Sequence, residues 1–202
     1  MRTRVTRPNA RSSTWLVTSL LAFTCACGSP AEATSPAPTK ARAEGVERYL
    51  PLPDGFVYEY DVETDSGEKG RMMMQASRPR AGLAELAVAG KVQRLEVSSD
   101  AVRHSTGGYL LKAPLEPGAE WKGQFGTVRV ASIDRAIRTP AGGFQSCIET
   151  IEETLAPPKR ATSIYCPDVG LVSLHIEGEL GEEAGSVATT LRSYGPSPTE
   201  FQ

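Results

Sequence analysis

Apolar and polar side chains alternate with a period of two along most of the chain after residue 50, and this alternation limits the possible folds more than any other feature. In FVYEYDVE, residues 56–63, mostly aromatic and aliphatic side chains fall on one face and acidic side chains on the other. Similar segments follow: GEKGRMMMQAS, GKVQRLEVSS, GTVRVASID, GFQSCIETIEE, GLVSLHIEGEL and SVATTLRSY. No long stretch repeats with a helical period. The pattern therefore predicts roughly eight to ten antiparallel strands.

A sheet of this size needs a way to protect its edges, because an open edge invites pairing with other chains. We predict an all-β domain in which one antiparallel, strongly curved sheet forms an incomplete or closed barrel. The alternative is a two-layer β-sandwich, which protects its apolar faces equally well. Alternation alone does not separate the two architectures.

The N-terminus has the composition of an export signal. Four arginines and no acidic residue precede the apolar run WLVTSLLAFTCA. This run is too short for a membrane-spanning helix, and small residues follow it. We therefore predict that residues 1–26 are a signal peptide and that the chain leaves the cytoplasm.

The end of this apolar run, AFTCACGSP, resembles a bacterial lipobox, in which cleavage occurs just before a lipidated cysteine. The small residue Ala26 favours cleavage before Cys27, and Cys25 is the alternative lipid-attachment site. Thr24 departs from the leucine that is usual three residues upstream. The resemblance implies a lipid-anchored protein of the bacterial cell envelope, at the outer membrane and facing the periplasm or the cell surface.

Composition divides the rest of the chain into three parts. Residues 27–45 are rich in Ala, Pro, Ser and Thr and are predicted to be a disordered tether, residues 46–195 to be one β-rich domain, and residues 196–202 to be a disordered tail. Of the chain's 22 basic residues, four lie in the signal, which leaves 18 against 24 acidic residues. This balance argues against nucleic acid as a partner.

Four segments also carry a family resemblance: YLPLPDGFVYEYDVE, LEPGAEW, IRTPAGGFQSCIET and SIYCPDVGLVSL. In this order they resemble the landmarks of a TapB-like family of uncharacterised bacterial envelope lipoproteins with a β-rich domain. The resemblance covers most of residues 48–195 and implies a curved sheet, but no established activity. Tyr58 replaces the usual tryptophan, and Asp168 replaces a glycine at a position where Asp tolerates the turn conformation.

Cys147 and Cys166 flank LAPPKRA, whose paired prolines indicate a turn between two strands. In the resulting hairpin the two thiols lie at similar distances from the turn. Exported proteins mature in an oxidising compartment, so we predict a disulfide. A nucleophilic thiol and a zinc ligand are the alternatives, but no recognisable histidine partner or closely spaced ligand pair supports them.

Other polar and sulfur-containing residues give no catalytic or metal-binding motif. His104 is interpreted as a solvated turn residue and His175 as a residue of a wet strand face. Met72 and Met74 are predicted to share one face and Met73 the other. The acidic late strands are interpreted as a solvated surface: Glu149, Glu152, Glu153, Glu177, Glu179, Glu182 and Glu183. We predict no cofactor, no metal and no enzymatic activity.

Two functions fit these observations. The first is a non-catalytic binding or assembly module, which is held at the membrane by its N-terminal lipid and presents an edge or face to an unknown envelope protein. The alternative is a carrier of a lipid or other apolar ligand inside the curved sheet. The side chains predicted to line such a site are Phe56, Tyr58, Tyr60, Met72 and Met74.

Overall fold

The computed structural model describes residues 45–179 and 184–197, which lie within one compact unit. The described elements are the one-turn 3₁₀-helix Gly45–Arg48 and the strands β1 Phe56–Thr64, β2 Lys69–Arg80, β3 Leu83–Val88, β4 Lys91–Val97, β5 Ala101–His104, β6 Tyr109–Lys112, β7 Glu120–Lys122, β8 Thr127–Thr139, β9 Gly142–Leu155, β10 Pro158–Cys166, β11 Gly170–Glu179 and β12 Ala184–Pro196. No helix in this part of the chain is long and apolar enough to cross a membrane.

The described strands form one antiparallel sheet that is nearly closed into a barrel, with the order β6-β5-β4-β3-β2-β1-β12-β11-β10-β9-β8-β7. The predicted curved sheet is thereby confirmed, and the two-layer alternative is not observed. Neighbours in the sheet are neighbours in sequence except at β1 and β12, which pair from Phe56↔Pro196 to Thr64↔Val187. The sheet has twelve strands, whereas the sequence predicted eight to ten. The prediction was too low because β5, β6 and β7 have only three or four residues each, too few to show an alternating pattern.

The long strands have the faces that their sequences predict. On β1, Tyr58 and Tyr60 point into the core and are almost fully buried. The carboxylate of Asp61 lies on the outer face, where it accepts a hydrogen bond of 2.7 Å from Arg192 of β12. A bulge between Glu59 and Tyr60 shifts the pairing of β1 with β12. Buried aromatic rings inside and ion pairs outside therefore fix the orientation of β1.

The segment before β1 fills one end of the barrel. Val46, Leu50 and Leu52 are buried there and belong to the main apolar cluster. Arg78, near the end of β2, holds this segment because its guanidinium donates to the carbonyl oxygen of Leu52 at 2.9 Å, to Glu47 at 3.0 Å and to the carbonyl oxygen of Pro51. We call this end of the barrel, which also contains the β10–β11 turn, the plugged end. The segment is therefore part of the domain.

The predicted hairpin around the paired prolines is present. β9 ends at Leu155, β10 begins at Pro158, and these two residues are paired. At its other end β9 continues into a long hairpin with β8, whose turn reaches β12: the amide of Ala141 donates to the carbonyl oxygen of Leu191 at 3.3 Å. The turn of the β8–β9 hairpin thus links the side of the sheet near the edge strand β7 with β12 in the middle of the sheet.

Candidate functional site

The side chains predicted to line an apolar ligand site lie in the filled interior. Tyr58, Tyr60 and Met74 are core residues, and Phe56 and Met72 pack against them. The hydroxyl of Tyr60 donates to the carbonyl oxygen of Leu171 at 3.0 Å. Burial raises the pKa of Tyr58 to about 12 and raises the pKa of Tyr60 further. These tyrosines therefore stay neutral and pack as ordinary core residues.

Cys147 and Cys166 form a disulfide with an S–S distance of 2.02 Å. Both residues are fully buried within the apolar cluster. Cys147 lies on β9 and Cys166 on β10, and the two strands are paired up to Tyr165↔Ile148, the residues directly beside the disulfide. The two thiols therefore link adjacent strands as a structural connection. The predicted lipid-attachment site, Cys27 or its alternative Cys25, lies outside the described residues, as do the predicted signal peptide, most of the tether and most of the tail.

The two edge strands, β6 and β7, meet at a seam that no strand ladder closes. Trp121 of β7 donates its indole N–H to the carbonyl oxygen of Tyr109 of β6 at 3.3 Å. Beside this bond the backbones approach closely, since a Cβ atom at Gly108 would collide with the carbonyl oxygen of Gly123. Glycine at position 108, with φ of +83°, permits this approach. The seam therefore closes through this indole hydrogen bond, this close backbone contact and the packing of side chains such as Leu111 and Trp121 in the core.

Glu152 binds the β7–β8 turn from inside the barrel. Its Oε1 atom accepts hydrogen bonds from the amides of Phe125 at 2.6 Å and Gly126 at 2.9 Å. The same oxygen occupies the space that a side chain at Gly123 would need. The interpretation of Glu152 as a solvated surface residue is therefore wrong: this residue stands opposite the buried Val128, so its carboxylate lies against the turn that leads into the neighbouring strand β8.

The interpretation of His104 as a solvated turn residue is also wrong. His104 ends β5 and is only 7% exposed, because it pairs with the fully buried Leu95 on the inner face. Burial lowers its pKa, and the nearby carboxylate of Glu152 opposes this effect in part. The serine and the glycine pair that follow suggested an exposed turn, but the turn begins one residue later. His175 is half-buried on β11, opposite Ala188 of β12.

His104 lines an open cleft of about 500 Å³ at the end of the barrel opposite the plugged end. The other lining residues come from β4, the β5–β6 turn and the β7–β8 turn: Val92, Gln93, Arg94, Ser105, Thr106 and Gln124. Among the residues that the structure describes, no carboxylate lines this cleft. We call it the His104 cleft.

A larger open cleft, of about 1070 Å³, lies on the outer face of β3 to β5. Most of its charged side chains form ion pairs with each other: Arg94 with Glu85 at 2.9 Å, and Arg103 with Glu96 at 2.5 Å. This cleft therefore presents a surface of ion pairs between its own lining residues.

Within residues 45–179 and 184–197, no group of three or more His, Cys, Asp or Glu residues could hold a metal ion.

The outer face also carries an uncharged area, which we call the outer patch. It comprises Val57, Met73, Gln75, Ala87 and Val92, on strands β1 to β4. Val57, Gln75, Ala87 and Val92 stand opposite one another in successive strand pairs. Met73, as predicted, points away from Met72 and Met74, and it is 65% exposed; Val92 is 60% exposed.

Ion pairs border the outer patch on two sides. Arg71 and Glu59 pair at 3.0 Å on one side, and Arg94 and Glu85 pair at 2.9 Å on the other. Exposed apolar area with a polar border is typical of protein contact surfaces. The outer patch is thus the best candidate on the described surface for contact with another protein.

These features define a class of protein: a nearly closed, single-sheet antiparallel β-barrel domain with one plugged end. No protein-family profile matches the chain, and no curated protein matches it. The TapB-like resemblance therefore stays a prediction.

The chain is remotely similar to solved structures, among them the following two. One is a protein described as exported and as having a YmcC-like fold, from Bacteroides fragilis, with 13% identity, a TM-score of 0.47, and coverage of 71% of this chain and 96% of that chain. The other is a protein described as a lipoprotein, from Parabacteroides distasonis, with 11% identity, the same TM-score and the same coverage. Similarity at this level assigns neither a family nor a role.

Proposed function

We propose that this protein is a lipid-anchored, non-catalytic binding module of the bacterial cell envelope, which docks another envelope protein on its outer patch. The observation that carries the proposal is the exposure of Met73 and Val92 on one uncharged area between two ion pairs. The predicted export signal and the resemblance to a lipobox support the location. No step of this function needs a catalytic group or a cofactor.

The composition of the outer patch suits a protein partner. Methionine is flexible and polarisable, so Met73 can adapt to the surface that covers it. Gln75 offers an amide for one specific hydrogen bond at the centre, and the bordering ion pairs remain near solvent, where they orient a partner. A partner surface with an apolar centre and a charged rim complements this arrangement.

Site-specific photo-cross-linking in the native envelope tests the proposal. A photoreactive residue at Val92 should give a discrete protein adduct, and the same residue at Leu155, which is 91% exposed and lies far along the sheet on β9, should not. The substitution Met73→Glu should abolish the Val92 adduct, because it places a charge in the apolar centre. Leu155→Glu serves as the matched control and should leave the adduct unchanged.

Two results would contradict the binding-module proposal. An adduct at Val92 that survives Met73→Glu would show that the outer patch does not hold the partner. A stoichiometric lipid in native mass spectra of the gently purified chain would favour the carrier, which requires Tyr58, Tyr60 and Met74 to move and make room. The two experiments therefore distinguish the module from its alternative.

A further inference from the structure

An aromatic side chain is exposed at the plugged end of the barrel, where β12 ends. Tyr194 is 41% exposed, although its ring stacks on the ring of the buried Tyr58 of β1, with the ring centroids 6.5 Å apart. The ring of Phe144, near the start of β9, also lies 6.5 Å from the ring of Tyr194. Phe56, the first residue of β1, stands opposite the exposed Pro196. We call Phe56, Phe144, Tyr194 and Pro196 together the aromatic rim.

The aromatic rim combines apolar surface with one hydroxyl and contains no charged residue. Phe56 and Phe144 pack against the main apolar cluster on one side and are only half-buried, and Tyr194 adds its phenolic oxygen. The charges beside the rim are mixed, because Arg138 is exposed on the hairpin that carries Phe144 and Asp54 is exposed just before Phe56. Tyrosine and tryptophan rings concentrate where lipid headgroups meet acyl chains. The rim therefore has a composition that suits contact with a lipid surface.

The chain also enters the domain at the plugged end. The amide of Val46 donates to the carbonyl oxygen of Ser99, in the β4–β5 turn, at 3.2 Å. Residues 28–45 belong to the predicted tether and connect this end with the predicted lipid site at Cys27. A flexible chain of that length has an r.m.s. end-to-end distance of roughly 25 Å. The predicted anchor therefore holds the plugged end, on average, closer to the membrane than the opposite end.

We propose that the aromatic rim rests on the lipid surface that holds the anchor, so that the plugged end of the barrel faces the membrane. The proposal rests on the lipid anchor of the proposed function and adds a second contact and an orientation to it. A short tether gives an effective concentration in the millimolar range, so a weak contact is enough to orient the domain. The outer patch then lies on the side of the barrel, accessible to another protein.

Tryptophan fluorescence in vesicles tests this contact. Trp121 is the only tryptophan after the predicted signal peptide, and it is buried in the core, so it gives a constant background. The mature, lipidated chain would be reconstituted in vesicles of phosphatidylethanolamine and phosphatidylglycerol, with and without bromine near the headgroup end of the acyl chains. Tyr194→Trp should add fluorescence that bromine quenches. Leu155→Trp, beside the β9–β10 turn at the opposite end, is the matched control, and bromine should leave its added fluorescence unchanged.

A charge placed in the aromatic rim provides a second test, with the reporter at another rim position. Bromine should quench Pro196→Trp, which stands opposite Phe56. Adding Tyr194→Glu to this variant should abolish the quenching, because a carboxylate resists transfer out of water. Adding Leu155→Glu instead should leave the quenching as it was. Both double variants should still float with the vesicles, because the anchor is unchanged.

Three outcomes would overturn the rim contact. The first is a chain that floats with the vesicles while bromine fails to quench Tyr194→Trp and Pro196→Trp. The second is quenching of Leu155→Trp as strong as that of Tyr194→Trp, which would show that the domain has no preferred orientation. The third is a blue shift of the Tyr194→Trp emission without quenching, which would show that a second copy of the chain covers the rim.

Failure of the anchor has a different result. A chain that does not float with the vesicles would overturn the lipid anchor of the proposed function together with the rim contact. A chain that floats unquenched overturns the rim contact alone. Docking at the outer patch is tested separately by cross-linking at Val92.

Discussion

The indole N–H of Trp121 donates to the carbonyl oxygen of Tyr109 at 3.3 Å and thereby joins the two edge strands of the sheet. The two strands share no ladder, so this bond, the contact of Gly108 with Gly123 and the packing of apolar side chains in the core carry the closure. An edge closed without a strand ladder should open more easily than the paired strands, because local opening follows local contact density.

Trp121→Phe tests this closure. The substitution removes the hydrogen bond and part of the buried ring, and should lower the free energy of unfolding by about 1–3 kcal/mol in urea titrations. Hydrogen exchange should accelerate mainly in β6 and β7. Uniform acceleration over all strands would show that the seam has no separate stability.

The disulfide should stabilise the domain chiefly by restricting the unfolded chain. With a sequence separation of 19, its removal in the double variant Cys147→Ala, Cys166→Ala should cost about 3 kcal/mol in urea unfolding. A reductant should destabilise the wild type by a similar amount and leave the double variant unchanged. Equal unfolding midpoints for wild type and double variant would refute this contribution.

Cys27→Ala should release the protein from the membrane fraction, because the lipid attached at this cysteine is its predicted anchor. Cys25→Ala, two residues upstream, is the matched control and should leave the protein in membranes. Fractionation followed by immunoblotting measures both. The reverse result would move the anchor to Cys25, and retention of both single variants and of the double variant would exclude lipid anchoring at either site.

Stability should decrease as the pH falls through about 6.5, the ordinary pKa of histidine. Burial lowers the pKa of His104 in the folded state. As the pH falls, the unfolded chain therefore binds a proton at this histidine at a higher pH than the folded chain does, and this protonation stabilises the unfolded state relative to the folded state. The loss should continue until the pH falls below the folded-state pKa. Urea unfolding from about pH 7 to about pH 5.5 should show a smaller pH dependence in His104→Gln than in the wild type.

His175→Gln is the control for this effect and should keep the pH dependence of the wild type. The titratable groups other than the two histidines are present in all three proteins, so their contributions cancel in the comparison. A pH dependence in His104→Gln equal to that of the wild type would exclude His104 as its source.

The sequence predicts those features that depend on neighbours along one strand. Alternation placed Tyr58, Tyr60 and Met74 in the core and Met73 outside, and the paired prolines located the hairpin that brings Cys147 and Cys166 together. The curved single sheet followed from the number of strands and from the cost of open edges.

Features that depend on which strands become neighbours were not predictable in this way. His104 and Glu152 were both interpreted as solvated, because one strand's pattern does not show that His104 pairs with the buried Leu95 or that Glu152 reaches amides of the β7–β8 turn. The short strand β7 pairs with only three residues of β8, and its three residues carry no repeat. Contacts between residues far apart in sequence decided these positions.

The pairing of β1 with β12 makes the strand order a cyclic permutation of a simple up-and-down meander. Both ends of the folded chain therefore lie in the middle of the sheet, and both edges of the sheet are tied together by the connection from residue 113 to residue 119. In a circular permutant, residue 197 would be joined to residue 45 and the new chain ends would lie in the connection from residue 113 to residue 119. Every strand of this permutant would then pair with its neighbour in sequence. Such a permutant no longer needs its first and last strands to find each other, so it should fold faster than the natural chain.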